Sequence, residues 1–211
     1  MANADFDTCF SELPLIAILR GVKPTEVISI VSALVESGFR LIEVPLNSPD
    51  PFASIAALTE RFGDQAFIGA GTVTRVEQVQ SLKDAGGQLM VMPHSDVEVI
   101  RAGVAAGMTV IPGFMTPTEA FSALAAGAHA LKLFPADLVG VAGLKAMRSI
   151  LPPDVAIAPT GGISPENLGD YHQAGAQGFG LGSALYRPGM QADDVKVNAQ
   201  AFVQAWKSRI G

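Results

Sequence analysis

Short apolar segments alternate with amphipathic helical segments along the chain. Each apolar segment has the length of one buried strand. The predicted strands are residues 15–20, 41–47, 66–72, 89–93, 109–112, 130–135, 155–160 and 178–182. Eight strands alternating with eight helices predict an α/β fold, a single-domain (β/α)8 TIM barrel that covers residues 1–211. An open doubly wound sheet is the second interpretation, and the lack of a Gly-x-Gly-x-x-Gly turn after the first strand counts against it.

Composition and charge exclude several kinds of protein. Hydrophobic residues make up 49% and charged residues 16% of the 211 residues, which favours a compact fold over a disordered chain. The formal net charge of -6 provides no basic surface for nucleic acid. The first residues lack the pattern of a signal peptide, and charged residues, glycine or proline interrupt every apolar run. We therefore expect a cytoplasmic protein without a membrane partner.

Residues that bind metals are few and scattered. Cys9 is the lone cysteine, so it forms neither an intramolecular disulfide nor a cysteine cluster for zinc. The histidines His94, His129 and His172 do not have the spacing of a metal site. His94 alone lies where it would touch a substrate, and an ordinary loop histidine is an equally good interpretation of it. The sequence therefore predicts no metal and no cofactor.

Polar residues gather where the predicted strands end. They are Arg20, Glu43, Asn47, Thr72, His94, Lys132, Thr160 and Ser183. In (β/α)8 barrels the chemistry takes place at the carboxyl ends of the strands. We therefore expect an active site at this end of the fold.

Lys132 and Glu43 are the candidate catalytic residues. In a strand, Lys132 shares one face with Ala130 and Phe134, and burial among apolar neighbours favours a neutral, nucleophilic amine. Glu43 lies in an otherwise apolar strand, so its carboxylate needs a partner. The two side chains form either a buried ion pair without chemistry or a nucleophile beside a general acid/base. Arg20 either clamps an anionic group of a substrate or neutralises Glu43.

Two glycine-containing turns follow the seventh and eighth predicted strands. One contains Gly161 and Gly162, and the other contains Gly182 and Ser183. Backbone N–H groups in such turns approach an anion closely, and (β/α)8 barrels often bind phosphate at these two loops. Each turn alone is an ordinary connection, but the pair predicts a phosphate site.

Taken together, these segments resemble those of a known family. The segments are Ile18-Leu19-Arg20, Ile42-Glu43-Val44-Pro45-Leu46-Asn47, Gly69-Ala70-Gly71-Thr72, Lys132-Leu133-Phe134-Pro135-Ala136, Pro159-Thr160-Gly161-Gly162 and Gly180-Leu181-Gly182-Ser183. Their order and spacing are similar to those of the class I 2-keto-3-deoxy-6-phosphogluconate and 6-phosphogalactonate aldolases. The resemblance runs from about Leu13 to Trp206. It implies a homotrimeric (β/α)8 barrel that needs no metal and cleaves a keto-deoxy sugar acid phosphate into pyruvate and glyceraldehyde 3-phosphate.

The resemblance also implies a role for each candidate residue. Lys132 matches the Schiff-base lysine, and Glu43 matches the general acid/base. Arg20 and Thr72 match residues that hold the pyruvyl portion of the substrate. The residues at the implied phosphate site are Gly162, Gly182 and Ser183, with Gly161 beside them.

Different segments resemble branches of the family whose substrates differ in configuration at C4. Residues 43–49 and 92–94 resemble the phosphogalactonate branch of the family. Thr160 resembles the phosphogluconate branch, and its hydroxyl is placed to hydrogen-bond a C4 hydroxyl. We predict a 2-dehydro-3-deoxy-6-phosphogalactonate aldolase, with the gluconate epimer or both epimers as the alternative. A phosphosugar isomerase or epimerase and a non-catalytic barrel that binds a phosphorylated ligand are the remaining hypotheses.

Overall fold

The computed structural model describes residues 4–210, with side chains through residue 208. The helices are α1 (Phe6–Glu12), α2 (Val27–Glu36), α3 (Pro51–Phe62), α4 (Glu77–Asp84), α5 (Val97–Ala105), α6 (Pro117–Ala125), α7 (Ala136–Arg148), α8 (Leu168–Gln173) and α9 (Ala192–Ile210). The strands are β1 (Leu15–Ile18), β2 (Leu41–Pro45), β3 (Phe67–Gly71), β4 (Leu89–Val91), β5 (Thr109–Ile111), β6 (Gly113–Phe114), β7 (Leu131–Leu133), β8 (Ile157–Pro159) and β9 (Phe179–Leu181). None of the helices in this part of the chain is long and apolar enough to cross a membrane.

The strands lie parallel in two sheets. One sheet has six strands in the order β5-β4-β3-β2-β1-β9, and the other has three in the order β6-β7-β8. β1 pairs with both β2 and β9, so strands from the two ends of the chain lie side by side. The parallel strands curl into a half-barrel, which confirms the predicted α/β class.

The observed strands match the predicted segments in position but are shorter. Each of the eight predicted segments contains one strand, and β6 is an additional strand that the sequence analysis did not predict. Pro112 separates β6 from β5, because a proline has no N–H group to donate to the ladder. An isolated bridge between Thr160 and Gly180 joins the ends of β8 and β9. The described strands thus form two sheets, and full closure of a (β/α)8 barrel stays a prediction.

Alternate strand residues pack into two separate apolar clusters, as the two-residue period of a strand requires. Leu131 and Leu133 of β7 belong to the large cluster that includes the helices, whereas Ala130, just before β7, belongs to a smaller cluster on the concave side. The smaller cluster also contains Ile16, Leu41, Phe67, Leu89, Val91 and Ile111. Burial of each large apolar side chain stabilises the fold by about 1.5–3 kcal/mol. Lys132 comes two residues after Ala130 and therefore faces the concave side.

Helix α1 fills the concave side at the amino-terminal ends of the strands. The ring of Phe6 packs against that of Phe67 with centroids 5.8 Å apart, and Cys9 is buried in the smaller cluster. The ring of Phe10 lies over Gly178, where a β-carbon would come within 2.6 Å of it. Because this end is filled, the carboxyl ends of the strands are the end at which a ligand can enter.

Candidate active site

A cavity of about 480 Å³ opens at the carboxyl ends of the strands. Seven of the nine predicted site residues line it, namely Arg20, Lys132, Thr160, Gly161, Gly162, Gly182 and Ser183. The other lining residues are Ile18, Gly21, Phe134, Ile163, Ser164, Ala184, Tyr186, Arg187 and Pro188. Glu43 and Thr72 do not line the cavity, but each interacts with a residue that does. The charge of Glu43 acts on Lys132, and the hydroxyl of Thr72 accepts a hydrogen bond from Arg20.

Lys132 lies in the middle of β7 and is only 6% exposed. Its Nζ atom is 4.9 Å from the centroid of the Phe134 ring. Burial lowers the pKa of Lys132, and the positive charge of Arg20 lowers it further, against the opposite effect of the Glu43 carboxylate. An amine with a lowered pKa is more often neutral, so this side chain suits nucleophilic attack on a carbonyl carbon.

Glu43 lies in the middle of β2 and is 1% exposed. Gly71 on β3 makes room for its carboxyl group, because a β-carbon at residue 71 would collide with both carboxyl oxygens. Burial raises the pKa of Glu43 to about 7, against the opposite effects of Lys132 and Arg20. A carboxyl group with a pKa near neutrality can both accept and donate a proton at neutral pH.

The amine of Lys132 and the carboxyl group of Glu43 do not form a contact ion pair. Among the side chains that the structure describes, the one salt bridge joins Lys196 and Glu36 on the surface. Oε2 of Glu43 also lacks a hydrogen-bond partner among these residues. Because a buried polar atom without a partner is costly, a purely structural ion pair does not account for these two residues.

Three polar side chains meet at the ends of β1, β2 and β3. Nη1 of Arg20 donates to Oδ1 of Asn47 at 2.6 Å and to Oγ1 of Thr72 at 3.5 Å. Thr72 has a φ of +57°, and this left-handed conformation costs a β-branched residue about 1–3 kcal/mol. Neutral groups therefore hold Arg20, and its guanidinium charge remains available to an anion.

The two predicted glycine turns border the cavity beside β8 and β9. Gly161 and Gly162 have φ angles of +101° and +69°, which glycine adopts without strain. Asn167 stabilises this turn by accepting from the N–H of Ser164 and donating to the carbonyl oxygen of Gly162. Five backbone N–H groups of the two turns have no acceptor in the part of the chain that the structure describes, namely those of Gly162, Ile163, Gly182, Ser183 and Ala184. Unpaired donors grouped in this way suit the binding of an anion.

Thr160 follows β8 and lines the cavity, although it is only 6% exposed. Its hydroxyl donates to the carbonyl oxygen of Ala158 at 3.4 Å, which is a long hydrogen bond. Gly180 makes room for this hydroxyl, because a β-carbon at residue 180 would collide with it. The hydroxyl therefore has a weak protein partner, which a hydroxyl group of a ligand can replace.

The turn after β9 contributes residues that the sequence analysis did not assign to the site. Tyr186, Arg187 and Pro188 all line the cavity. The hydroxyl of Tyr186 donates to Oε1 of Glu26 at 3.1 Å, which ties this turn to the start of α2. In the sequence, only their position could have indicated these residues, because all three closely follow the predicted phosphate turn at Gly182.

The three histidines do not line the cavity, and the sequence analysis expected none of them to bind a metal. His94 is exposed and does not line the cavity. Nδ1 of His129 accepts the backbone N–H of Val110 at 3.1 Å. Across residues 4–208, no group of three or more histidine, cysteine, aspartate and glutamate side chains is arranged to hold a metal ion.

The fold and the cavity together define an enzyme of the parallel α/β class. Buried groups with shifted pKa values, such as Lys132 and Glu43, are concentrated at functional sites. The cavity also brings the amine of Lys132 together with unpaired N–H donors, as expected for a site that binds an anionic small molecule.

Comparisons with known proteins give the family. Residues 6–200 match the family model described as KDPG and KHG aldolase. The chain is 50% identical to the probable 2-dehydro-3-deoxy-6-phosphogalactonate aldolase of Rhizobium meliloti (strain 1021), over 95% of this chain and 94% of that protein. It is 48% identical to the 2-dehydro-3-deoxy-6-phosphogalactonate aldolase of Escherichia coli (strain K12), over 95% of this chain and 98% of that protein.

The fold agrees with this comparison. A solved structure described as native KDPGal superposes with a TM-score of 0.93 at 49% identity, covering 94% of this chain and 97% of that one. The chain therefore belongs to the KDPG and KHG aldolase family.

Proposed function

We propose that this protein is a class I aldolase, a carbon–carbon lyase that cleaves 2-dehydro-3-deoxy-6-phospho-D-galactonate to pyruvate and D-glyceraldehyde 3-phosphate. The observation that carries the proposal is the buried amine of Lys132, with its lowered pKa, in a cavity that also presents unpaired N–H donors. A neutral amine attacks a ketone carbonyl, and the donors suit a phosphate group. The names of the two relatives at 48% and 50% identity support the choice of substrate.

In the proposed reaction Lys132 forms the covalent bond to the substrate. The lone pair of its Nζ atom attacks the C2 ketone, and the acid form of Glu43 protonates the hydroxyl of the resulting carbinolamine, which leaves as water to give a protonated imine. The positive imine nitrogen draws electrons from the C3–C4 bond as the C4 hydroxyl loses its proton. Cleavage releases the aldehyde and leaves an enamine. Protonation of the enamine at C3 and addition of water to the imine then release pyruvate and restore the free amine.

Glu43 moves the protons in this scheme. Its carboxylate takes the proton of the C4 hydroxyl, and the acid thus formed later protonates the enamine at C3. One residue can perform both steps because its pKa of about 7 makes the two protonation states similarly accessible at neutral pH.

The two ends of the substrate bind at different places in the cavity. Arg20 and Thr72, which are hydrogen-bonded to each other, hold the carboxylate of the pyruvyl portion. The N–H groups of the two glycine turns hold the phosphate, and a β-carbon at Gly182 would meet no protein atom within 4 Å, which supports open space for a ligand there.

A second candidate function is an aldolase for the gluconate epimer or for both epimers, and the weakly bonded hydroxyl of Thr160 favours it. Replacing Thr160 with valine keeps the shape of the side chain and removes the hydroxyl. If this hydroxyl binds the C4 hydroxyl of the gluconate epimer, kcat/KM for that epimer falls about tenfold, while kcat/KM for the galactonate epimer changes less. The measurement is kcat/KM for both epimers with the wild type and with Thr160→Val.

Thr118→Val, at an exposed residue of α6, is the matched control and is expected to leave both values unchanged. A wild type with a strong preference for the gluconate epimer would overturn the proposed substrate. An unchanged ratio in Thr160→Val would remove Thr160 from the selection of C4 configuration.

We also propose that the two sheets form one closed (β/α)8 barrel in a single domain of residues 1–211. Pro112 alone separates β5 from β6, and these two strands pair with β4 and β7 respectively. They are therefore two parts of one barrel strand that belongs to both sheets. The bridge between Thr160 and Gly180 supports closure between β8 and β9.

The proposed enzyme forms a homotrimer and is located in the cytoplasm. Exposed apolar side chains support an interface between subunits, such as Phe121 on α6 at 46% exposure and Leu138 on α7 at 73%. The free, buried thiol of Cys9 suits a reducing compartment.

Reduction with borohydride in the presence of pyruvate tests the proposed function. The expected result is a stable pyruvyl-derived adduct on Lys132, identified by mass spectrometry of the digested protein and unaffected by EDTA. Without an adduct the lyase proposal fails, and a phosphosugar isomerase or epimerase, or a non-catalytic barrel that binds a phosphorylated ligand, remains. Loss of activity on chelation would instead indicate a metal-dependent enzyme.

A further inference from the structure

Arg187 places an additional positive charge in the wall of the cavity. It follows β9 and lines the cavity together with the glycine turn at Gly161 and Gly162. Its Nε atom donates to the carbonyl oxygen of Ser183 at 2.9 Å, and it forms no salt bridge with any side chain that the structure describes. The hydrogen bond fixes the guanidinium beside the turn and leaves its two terminal nitrogens for a ligand.

The backbone on both sides of Arg187 is firmly held. Tyr186 is buried, and its hydroxyl bonds to Glu26 at 3.1 Å. Pro188 packs against Gly21 in the turn after β1, where a β-carbon would come within 2.7 Å of the proline Cγ. Because the backbone is fixed while the arginine side chain is exposed, little of this turn has to become ordered when a ligand binds.

A cation near the glycine turns strengthens their binding of a doubly charged anion. Their N–H groups contribute dipoles but no net charge. The exposed carboxylate of Asp137 lies next to them, with Oδ1 3.3 Å from the position of a β-carbon on Gly161, and it repels an anion. No aspartate or glutamate is among the lining residues, so the charge of Arg187 is not neutralised within the cavity wall.

We propose that Arg187 binds the phosphate group of the substrate through its terminal guanidinium nitrogens and thereby makes the site selective for phosphorylated substrates. The guanidinium fork matches two oxygens of a phosphate group. Arg20, held by Asn47 and Thr72, remains for the carboxylate at the other end of the substrate. This inference rests on the proposed aldolase function and gives Arg187 a role in binding, with no part in making or breaking bonds.

Binding of sn-glycerol 3-phosphate, measured by isothermal titration calorimetry, tests the inference without catalysis, because this compound has no carbonyl group. Arg187→Gln is expected to weaken binding by about tenfold or more. Arg187→Lys keeps the charge without the fork and is expected to bind more tightly than Arg187→Gln. The matched control is Arg101→Gln, at an exposed residue of α5 outside the cavity, which is expected to bind like the wild type.

Kinetics in the direction of aldol synthesis distinguish binding of phosphate from binding of carboxylate. With pyruvate and glyceraldehyde 3-phosphate, Arg187→Gln is expected to raise KM for the aldehyde about tenfold or more and to change kcat little. With unphosphorylated glyceraldehyde, the variant and the wild type are expected to have the same kcat/KM. Borohydride trapping of pyruvate on Lys132 is expected to be the same in both.

Unchanged affinity of Arg187→Gln for glycerol 3-phosphate overturns the inference. Weaker trapping of pyruvate also overturns it, because that result assigns Arg187 to the carboxylate. If Arg187→Gln does not fold, Arg187→Lys decides: weaker binding of glycerol 3-phosphate than in the wild type supports the role of the guanidinium fork, and wild-type affinity overturns it. A wild type that forms no pyruvyl adduct refutes the aldolase function. The calorimetric test of phosphate binding by Arg187 does not depend on that result, because glycerol 3-phosphate forms no adduct.

Discussion

Replacement of Lys132 with methionine is expected to abolish cleavage of the substrate and to increase the stability of the folded protein. The variant keeps a long, unbranched side chain but lacks the nucleophilic amine. Lys132 is the one lysine among the residues that line the cavity, so no other lysine there replaces it. We expect kcat to fall by about 10³-fold or more and the borohydride adduct to disappear.

The gain in stability follows from the same burial that lowers the pKa of Lys132. An ammonium group that is 6% exposed and forms no contact ion pair with Glu43 opposes folding, and an apolar side chain of similar length removes this cost. Urea denaturation at neutral pH is expected to show a free energy of unfolding higher by about 1 kcal/mol or more. Lys83→Met, at an exposed residue of α4, is the control and is expected to change neither activity nor stability appreciably. A Lys132→Met variant that retained a tenth or more of the wild-type turnover would rule out a Schiff base at this residue.

Replacement of Glu43 with glutamine is expected to slow turnover by about 10²-fold or more while the fold remains intact. Glutamine has nearly the same shape as glutamate, so it fits in the space that Gly71 leaves beside β2. It cannot take the proton of the C4 hydroxyl or protonate the enamine. Trapping of pyruvate on Lys132 followed by slow release of product would show that the nucleophile still works without its proton carrier.

The pH dependence of stability provides the control for Glu43→Gln. Burial raises the pKa of this carboxyl group from its ordinary value of 4.5 to about 7, so the folded state binds the proton more tightly than the unfolded state does. The contribution of Glu43 to the free energy of unfolding is therefore full below about pH 4.5 and is lost as pH rises to about 7, by up to roughly 3 kcal/mol. In Glu43→Gln, this decrease in the free energy of unfolding between pH 4.5 and 7 is expected to disappear. In Glu60→Gln, at an exposed residue of α3, it is expected to remain. An unfolded Glu43→Gln variant with near-normal specific activity in its folded fraction would favour a structural role for the carboxylate.

The two central residues of the site were predictable because the period of a strand determines which side chains share a face. Alternation assigned Lys132 to the face of Ala130, and the structure confirms that Ala130 lies in the cluster on the concave side. The same reasoning left open whether Lys132 and Glu43 form a buried ion pair. A strand pattern gives the direction of a side chain but not the distance between side chains on different strands, and the structure shows no contact ion pair between these two described residues.

The residues that the sequence analysis missed depend on turns and on distant contacts. Tyr186 and Arg187 lie in a turn whose path is set by the hydrogen bond to Glu26 and the packing of Pro188 on Gly21. Neither contact leaves a periodic pattern in the sequence. The strained conformation of Thr72 is likewise imposed by its surroundings, because a threonine alone does not favour a positive φ.

The position of α1 has a consequence for how the chain assembles as it is synthesised. With seven residues, α1 is too short to be stable by itself, and its aromatic side chains pack on Phe67 of β3 and on Gly178, just before β9. The ribosome therefore makes this helix long before it makes the last strand beside which the helix must dock. Until the chain before β9 is in place, the ring of Phe10 lacks its contact with Gly178 and is more accessible to chaperones.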